Sequence, residues 1–345
     1  MGFRFWRRVK LAPGVTLNLS KRGGSLSFGR RGARLTLGGR GGPRTTFGIP
    51  GTGLFYTTVH GKKKKRGAKE PEPVAPETSS KDKITLGFFD RLVTPAEEES
   101  LVDGIKALVE GDAKKAYDFV REATDLADGG FLAGFLALKF GEYERAAEFL
   151  TAALAKEDKL GTYFQKYGVE PAMSLPITEE ISAHAGPSGR AVLLGLVEVY
   201  QRLERWEMAR DIAKTLGDRN PDDIVAKLSQ AELLLEMHPE DQATCEEVVR
   251  LAGDVENESD LHAVLMLYKA RALEGLGMLD GARNELTQAL RKKKDRSDEV
   301  RRALRYERAL IYEKKGRKAR ARGEFEKIYA DDPDFEDVAQ RLGAT

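Results

Sequence analysis

The chain has 345 residues, enough for two or three domains and a substantial buried core. Its net charge of +2 averages two opposite parts: residues 1–69 carry 17 Lys and Arg and no Asp or Glu, leaving 40 of the 57 basic groups to face all 55 acidic ones. The single cysteine, Cys245, excludes an intrachain disulfide framework, and no run approaches the ~20 apolar residues of a membrane span or the apolar core of a signal peptide, so the expected location is the cytoplasm.

Residues 1–59 are expected to form a small all-β, glycine-rich module. From Gly14 the chain breaks into GVTLNLSKRG, GSLSFGRRG, ARLTLGGRG and GPRTTFGIPG, each a short alternating run followed by a turn. Leu17 and Leu19, Leu26 and Phe28, and Leu35 and Leu37 are two apart, which places each pair on one face of a strand. The intervening glycines supply positive-φ turns, and a β meander or small roll follows. Gly48-Ile49-Pro50-Gly51-Thr52-Gly53 lacks the Lys-Ser/Thr of a nucleotide loop and reads as a turn before a strand over 54–59. The opening Gly-Phe-Arg-Phe, the Ala-Pro-Gly turn at 12–14, Asn-Leu-Ser at 18–20 and the GIPGTG loop together resemble a bacterial domain of unknown function, family 4236, over residues 1–58. That resemblance implies a domain boundary and a bacterial origin, and no activity.

The positive charge of this part points to an anionic partner. Arg4, Arg7, Arg8, Lys10, Arg30, Arg31, Arg40 and Arg44, followed by Lys62, Lys63, Lys64, Lys65 and Arg66, are the candidate contacts for nucleic-acid phosphates or an anionic membrane surface. Phe3 and Phe5 are expected to pack in the module's own core, and Trp6 less so. A third reading docks the basic module on the acidic remainder of the same or a neighbouring chain. Residues 60–93 combine prolines and charges without apolar periodicity, which is the composition of a disordered linker.

From residue 94 the pattern becomes helical. Thr94-Pro95-Ala96-Glu97 is a helix start, with a capping Thr, Pro at the first helical position and acids in the first turn. Thereafter a Gly or polar turn precedes an alanine at constant offset in GEYERAAEFLTAALAKED, LERWEMARDIAKTLGDRNPDD, GMLDGARNELTQALRKK and GRKARARGEFEKIYADDPD. The equivalent alanines are 146, 209, 282 and 321, with weaker copies at Ala116 and Ala243. Antiparallel helices approach closely where such small side chains meet. The blocks resemble degenerate tetratricopeptide repeats over residues 97–340, which implies an all-α solenoid of helical hairpins across 94–345. The interval between Ala146 and Ala209 is nearly twice the ordinary repeat of 34 residues, so an insertion or a lost helix pair is expected there, with the Gly- and Pro-rich segment 161–189 as a structured loop.

The resemblance further implies a concave groove lined by first helices that binds a protein or peptide. Its groove-facing offsets fall on Phe131, Phe135, Lys139, Glu198, Arg202, Glu232, Arg271, Tyr306 and Glu313, a mixed polar and apolar set. Catalytic chemistry is not expected: His60, His184, His238 and His262 are scattered, Cys245 lies on a helix near Val248 and Val249 as a packed thiol, and neither a Gly-x-Ser-x-Gly elbow nor a phosphate loop occurs. No metal, cofactor or small-molecule substrate is expected. The sequence describes a non-enzymatic adaptor, with nucleic-acid binding through residues 1–66 or self-association as its alternatives.

Overall fold

The computed structural model describes the strands 26–28, 33–37, 44–48 and 55–59, together with residues 94–344 apart from 111, 168, 170, 172, 177–181, 254 and 293–295. Strands β1 (Leu26–Phe28), β2 (Ala33–Leu37), β3 (Arg44–Gly48) and β4 (Phe55–Val59) pair antiparallel in sequence order. The register sets Leu26 opposite Leu37 and Phe28 opposite Leu35. The expected first strand over 14–19, the aromatics at 3, 5 and 6, the turn at 49–53 and the linker over 60–93 lie outside the described residues.

The helices fall into two compact units that divide after Leu203. The first contains α1 (Ala96–Glu110), α2 (Ala113–Val120), α3 (Ala127–Phe140), α4 (Tyr143–Leu154), α5 (Thr162–Lys166), the strands β5 (Met173–Pro176) and β6 (Ser182–Ala185), and α6 (Gly189–Arg202). The second contains α7 (Trp206–Arg219), α8 (Ile224–Met237), α9 (Gln242–Ala252), α10 (Asp260–Gly275), α11 (Leu279–Ala289), α12 (Asp298–Lys314), α13 (Lys318–Asp331) and α14 (Val338–Leu342). Within the first unit α1 packs on α2, α3 on α4, and α6 on α4. Within the second the hairpins α8/α9, α10/α11 and α12/α13 stack in order, with α7 against α8 and α14 against α13.

Short-range chemistry sets the helix ends. The side chains of Asp112, Ser188, Asp223, Asp241 and Ser297 accept backbone N–H groups at the starts of α2, α6, α8, α9 and α12. At α1 the helix begins one residue later than the sequence suggests, because the Pro95 carbonyl accepts the first bond, from the Glu99 N–H at 3.0 Å, and Pro95 therefore stands outside the helix. Three hairpin turns close on a left-handed glycine, Gly141, Gly277 and Gly316. In each the following N–H bonds back into the last turn of the first helix: Glu142 to Ala137, Met278 to Leu273 and Arg317 to Tyr312, at 2.8–2.9 Å.

Four residues past each second helix's capping position lies a small side chain at most 2% exposed: Ala116, Ala146, Ala209, Cys245, Ala282 and Ala321. Five of these agree with the sequence alignment. The sixth is a correction, since Ala243 is exposed and Cys245 takes the buried place. The turn before α9, His238-Pro239-Glu240, carries no glycine to mark the register, and Asp241 is the cap that fixes it. The Cys245 sulfur packs against Gly275 of α10, where a Cβ on that glycine would lie 2.6 Å from it. In the first unit glycines also mediate close approach: Leu150 of α4 is wedged against Gly134 of α3 and Gly195 of α6, and the Phe135 ring covers Gly195.

The long interval is an insertion. After α4 the chain forms α5 and the antiparallel pair β5/β6, with Met173 opposite Ala185, before Ser188 caps α6. Two buried acids clamp α5. Asp128, fully buried in the first turn of α3, accepts the N–H groups of Gly161, Tyr163 and Phe164 at 2.6, 2.8 and 3.2 Å. Glu98 of α1 accepts Lys166 and the Tyr167 hydroxyl at the other end. Burial raises the Asp128 carboxyl above its ordinary range, with the three N–H groups pulling the other way.

Glu204, at φ 59°, occupies the position that glycine holds in the other marked turns. Glu204→Gly should raise stability by about 0.5–1 kcal/mol, the relief of left-handed strain less the added chain entropy of glycine, measured as a higher urea midpoint at unchanged slope. Asp128→Ala strands three N–H groups and should cost about 2–4 kcal/mol, with hydrogen exchange accelerating at Gly161, Tyr163 and Phe164 before it does in α3.

Candidate partner-binding surfaces

In the first unit the exposed chemistry collects around the α3–α4 turn. Every residue of α3 from Ala127 to Ala137 is buried, after which the helix emerges with Lys139 and a Phe140 that is 41% exposed. The Phe140 ring leans on Tyr117 with centroids 5.6 Å apart, and the Lys139 ammonium lies 5.4 Å from the Phe140 ring centre. Burial against this surface lowers the Lys139 pKa below that of a free lysine. The Tyr117 hydroxyl donates to Glu142 at 2.9 Å, which also takes Arg145 at 3.0 Å.

Tyr143 begins α4 with its hydroxyl over Gly141 and reaches Arg202 of α6, which also binds Glu198 at 2.6 Å. Burial alone would lower the Arg202 pKa; Glu198 and Tyr143 overcome it and leave the guanidinium more firmly charged than usual. Three of the sequence-derived groove residues, Lys139, Glu198 and Arg202, thus lie at the surface of this unit as partly buried groups. Phe131 and Phe135 do not, which corrects the expectation for them. They are 0% and 3% exposed and stack edge to face at 4.9 Å; the Phe135 ring fills the space left by Gly195 of α6, and Phe164 of α5 closes on Phe131 at 6.2 Å. The groove offset places a side chain beside the helix interface, and here an unusually large residue fills that interface because its neighbours lack side chains.

In the second unit a charged network crosses the first helices of successive hairpins. Arg271 of α10 donates to Glu307 of α12 through Nε at 2.9 Å and through its terminal nitrogen, rests 5.5 Å from the Tyr268 ring centre, and feels Glu232 of α8. Burial opposes its charge, but Glu307 and its other neighbours hold the guanidinium protonated well above the usual arginine range. One residue on, Arg308 pairs with Glu324 of α13 at 3.0 Å, and Lys327 reaches the same carboxylate at 3.1 Å. Glu232 and Glu307 are 8% and 6% exposed. Arg271 and Glu232 are therefore parts of the packing between hairpins as much as surface.

Tyr306 and Glu313 serve the end of the chain. The Tyr306 hydroxyl donates to Asp337 at 2.8 Å, its ring meets Phe325 and Phe335 at 6.0 and 5.9 Å, and Arg341 of α14 lies over it while binding Asp337 and Glu313. At 6% exposure, Tyr306 anchors α14 and is not a groove residue, a second correction. Of the candidate anion contacts, Arg44 stands at the start of β3; the remainder, Arg4, Arg7, Arg8, Lys10, Arg30, Arg31, Arg40, Lys62, Lys63, Lys64, Lys65 and Arg66, lie outside the described residues. Among the described residues no group of three or more His, Cys, Asp and Glu is placed to hold a metal ion, and no helix is long and apolar enough to cross a membrane.

Phe140 is the surface residue that the sequence missed. Its position after Leu136, Ala137 and Leu138 reads as the end of an apolar stripe, and the signal available was the Gly141 that follows it, since a ring next to a left-handed cap lies at the helix end and not in its interior.

The Arg271–Glu307 contact gives a double-mutant test. Glu307→Leu alone should cost about 3 kcal/mol by leaving a buried guanidinium without its carboxylate, whereas Arg271→Met with Glu307→Leu should recover most of that loss, as read from urea unfolding of the three proteins.

Residues 3–57 match the family model described as Protein of unknown function (DUF4236). No curated protein matches the chain. Among solved structures, the helical part is similar to a thermophilic tetratricopeptide-repeat protein of Thermus thermophilus, at 18% identity and a TM-score of 0.41 over 63% of this chain and 97% of that one. It is also similar to the N-terminal domain of the EccA1 ATPase from the ESX-1 secretion system of Mycobacterium tuberculosis, at 13% identity and 0.47 over 72% and 88%. A third is YrrB, described as a TPR protein with an unusual peptide-binding site, at 16% identity and 0.42 over 66% and 97%.

Proposed function

We propose that this chain is a non-enzymatic adaptor whose helical hairpins bind a protein partner, while its basic amino-terminal part engages an anionic surface. The observation that carries the reading is the surface at the α3–α4 turn. A helix that buries eleven consecutive residues ends by exposing an aromatic ring beside a half-desolvated lysine. Exposed aromatics flanked by partly dehydrated cations are what protein interfaces use as anchors, because the ring adds apolar area and the cation gains strength as water leaves. Glu198 and Glu142 orient the neighbouring Arg202 and Arg145. The surface therefore suits a segment that joins an apolar or aromatic side chain to a carboxylate. The fold supplies rigidity: Leu150 locked between Gly134 and Gly195 fixes α3, α4 and α6 against one another, so the surface is formed before binding.

The test is comparative capture by the full chain. Proteins recovered with the parent should be lost with Phe140→Ala combined with Arg202→Ala, since a central aromatic and an oriented arginine each carry about 2 kcal/mol or more at an interface. The same proteins should be retained with Lys114→Glu/Lys115→Glu, exposed residues at the start of α2. Identical recovery by the parent and the Phe140/Arg202 variant would overturn the reading.

A further inference from the structure

The turn between α12 and α13 gathers more positive charge than the hairpin packing uses. Lys314, Lys315, Arg317, Lys318, Arg320 and Arg322 fall within nine residues, with no acid between Glu313 and Glu324. Lys314 pairs with Glu274, Lys315 with Asp280 at 2.6 Å, and Arg322 with Glu326 at 2.9 Å. Arg317, Lys318 and Arg320 are exposed, and no carboxylate of the described residues lies within ion-pair distance of them. The Arg320 guanidinium stands 6.0 Å from the Tyr312 ring centre, which steadies it at the surface. Asp280 is held below the usual carboxylate range by the Lys315 hydrogen bond and charge, with Arg283 and Arg317 adding to it, so the local field is positive even where an acid is present.

Folding energetics do not account for the unpaired cations of this stripe. α13 starts at Lys318, has no acid in its first turn, and its capping residue Arg317 makes no side-chain cap bond. Cations at a helix amino terminus oppose the helix dipole, where acids would favour it.

We propose that Arg317, Lys318 and Arg320, flanked by Lys314, Lys315 and Arg322, form a docking surface for the phosphate backbone of a nucleic acid. Two of the three unpaired cations are arginines, whose planar fork matches two phosphate oxygens. The span 314–322 contains no large apolar side chain, so contacts made there are electrostatic and independent of base sequence. Residues 1–69 carry the same sign of charge, 17 basic groups to no acid, and so repel the stripe instead of occupying it. Both parts attract one kind of partner, a polyanion long enough to meet each of them, which nucleic acid is. This surface is independent of the protein-binding reading and stands or falls without it.

The experiment uses the full chain and a mixed-sequence duplex of about 30 base pairs, titrated by fluorescence anisotropy between about 50 and 200 mM salt. Arg317→Glu/Lys318→Glu/Arg320→Glu should bind roughly tenfold or more weaker, with the slope of log affinity against log salt reduced by about 2–3, at ~0.9 per phosphate contact. Lys114→Glu/Lys115→Glu should match the parent, and the thermal midpoint of the triple variant should not fall, because acids suit that helix end. Parent-like affinity and slope in the triple variant, no duplex binding by the parent at the lowest salt, or an equal loss in the α2 control would each overturn the proposal. So would a loss confined to phosphatidylserine vesicles or to polyglutamate, which would assign the stripe to a membrane or an acidic protein.

Discussion

Close contact between helices at one small side chain per hairpin is the feature on which this architecture rests. Within each unit, alanine or cysteine four residues past the capping position of a hairpin's second helix lets its partner helix approach without a gap, and the larger residues beside it, such as Leu150, Leu286 and Phe325, complete the seam. A larger side chain at that point would separate the helices and forfeit dispersion contacts along their length. The left-handed turns follow from the same demand, because a helix that must reverse at once on a close neighbour has room for a tight cap and little else. Where glycine is replaced by Glu204, the backbone keeps the left-handed geometry and accepts the strain.

Charge has a second structural role that its surface appearance conceals. Asp128 and Glu98 point inward and hold the short helix α5 from both ends, while Arg271–Glu307 ties successive hairpins of the second unit and Arg308–Glu324 ties the two helices of the last one. These contacts replace part of the apolar seam with directional ones, so adjacent hairpins keep a defined register. The end of the second unit is closed in the same manner, with Arg341 over Tyr306 and Phe325 and bonded to Asp337. In such a network the cations of the seam each meet a carboxylate, and against it Arg317, Lys318 and Arg320 stand out as three neighbouring exposed cations that form no ion pair with a described carboxylate.

The two proposed surfaces differ in their physics. At the α3–α4 turn, partial burial of Lys139 beside an aromatic ring makes a site that gains from excluding water, suited to a compact protein anchor. At the α12–α13 turn the cations are exposed and act through counterion release, suited to a long polyanion and sensitive to salt. An adaptor that holds a protein at one and a polyanion at the other would bring the two together, with the basic amino-terminal part adding to the second attachment.

Local order along the chain was sufficient for the paired helices, the hairpin turns at Gly141, Gly277 and Gly316, and five of the six packing positions. Side-chain period, left-handed turns and small residues at fixed offsets are all written within a few residues of one another. What remained depended on the neighbour across the interface. Phe135 became core because Gly195 left room for it and Phe131 because Phe135 and Phe164 close on it, Cys245 took the place assigned to Ala243 because Asp241 capped the helix, and Tyr306 turned inward because α14 brought Asp337 and Phe335 to it. Whether a side chain is groove, seam or anchor depends on the volume and charge opposite it, and that is set by residues distant in the chain.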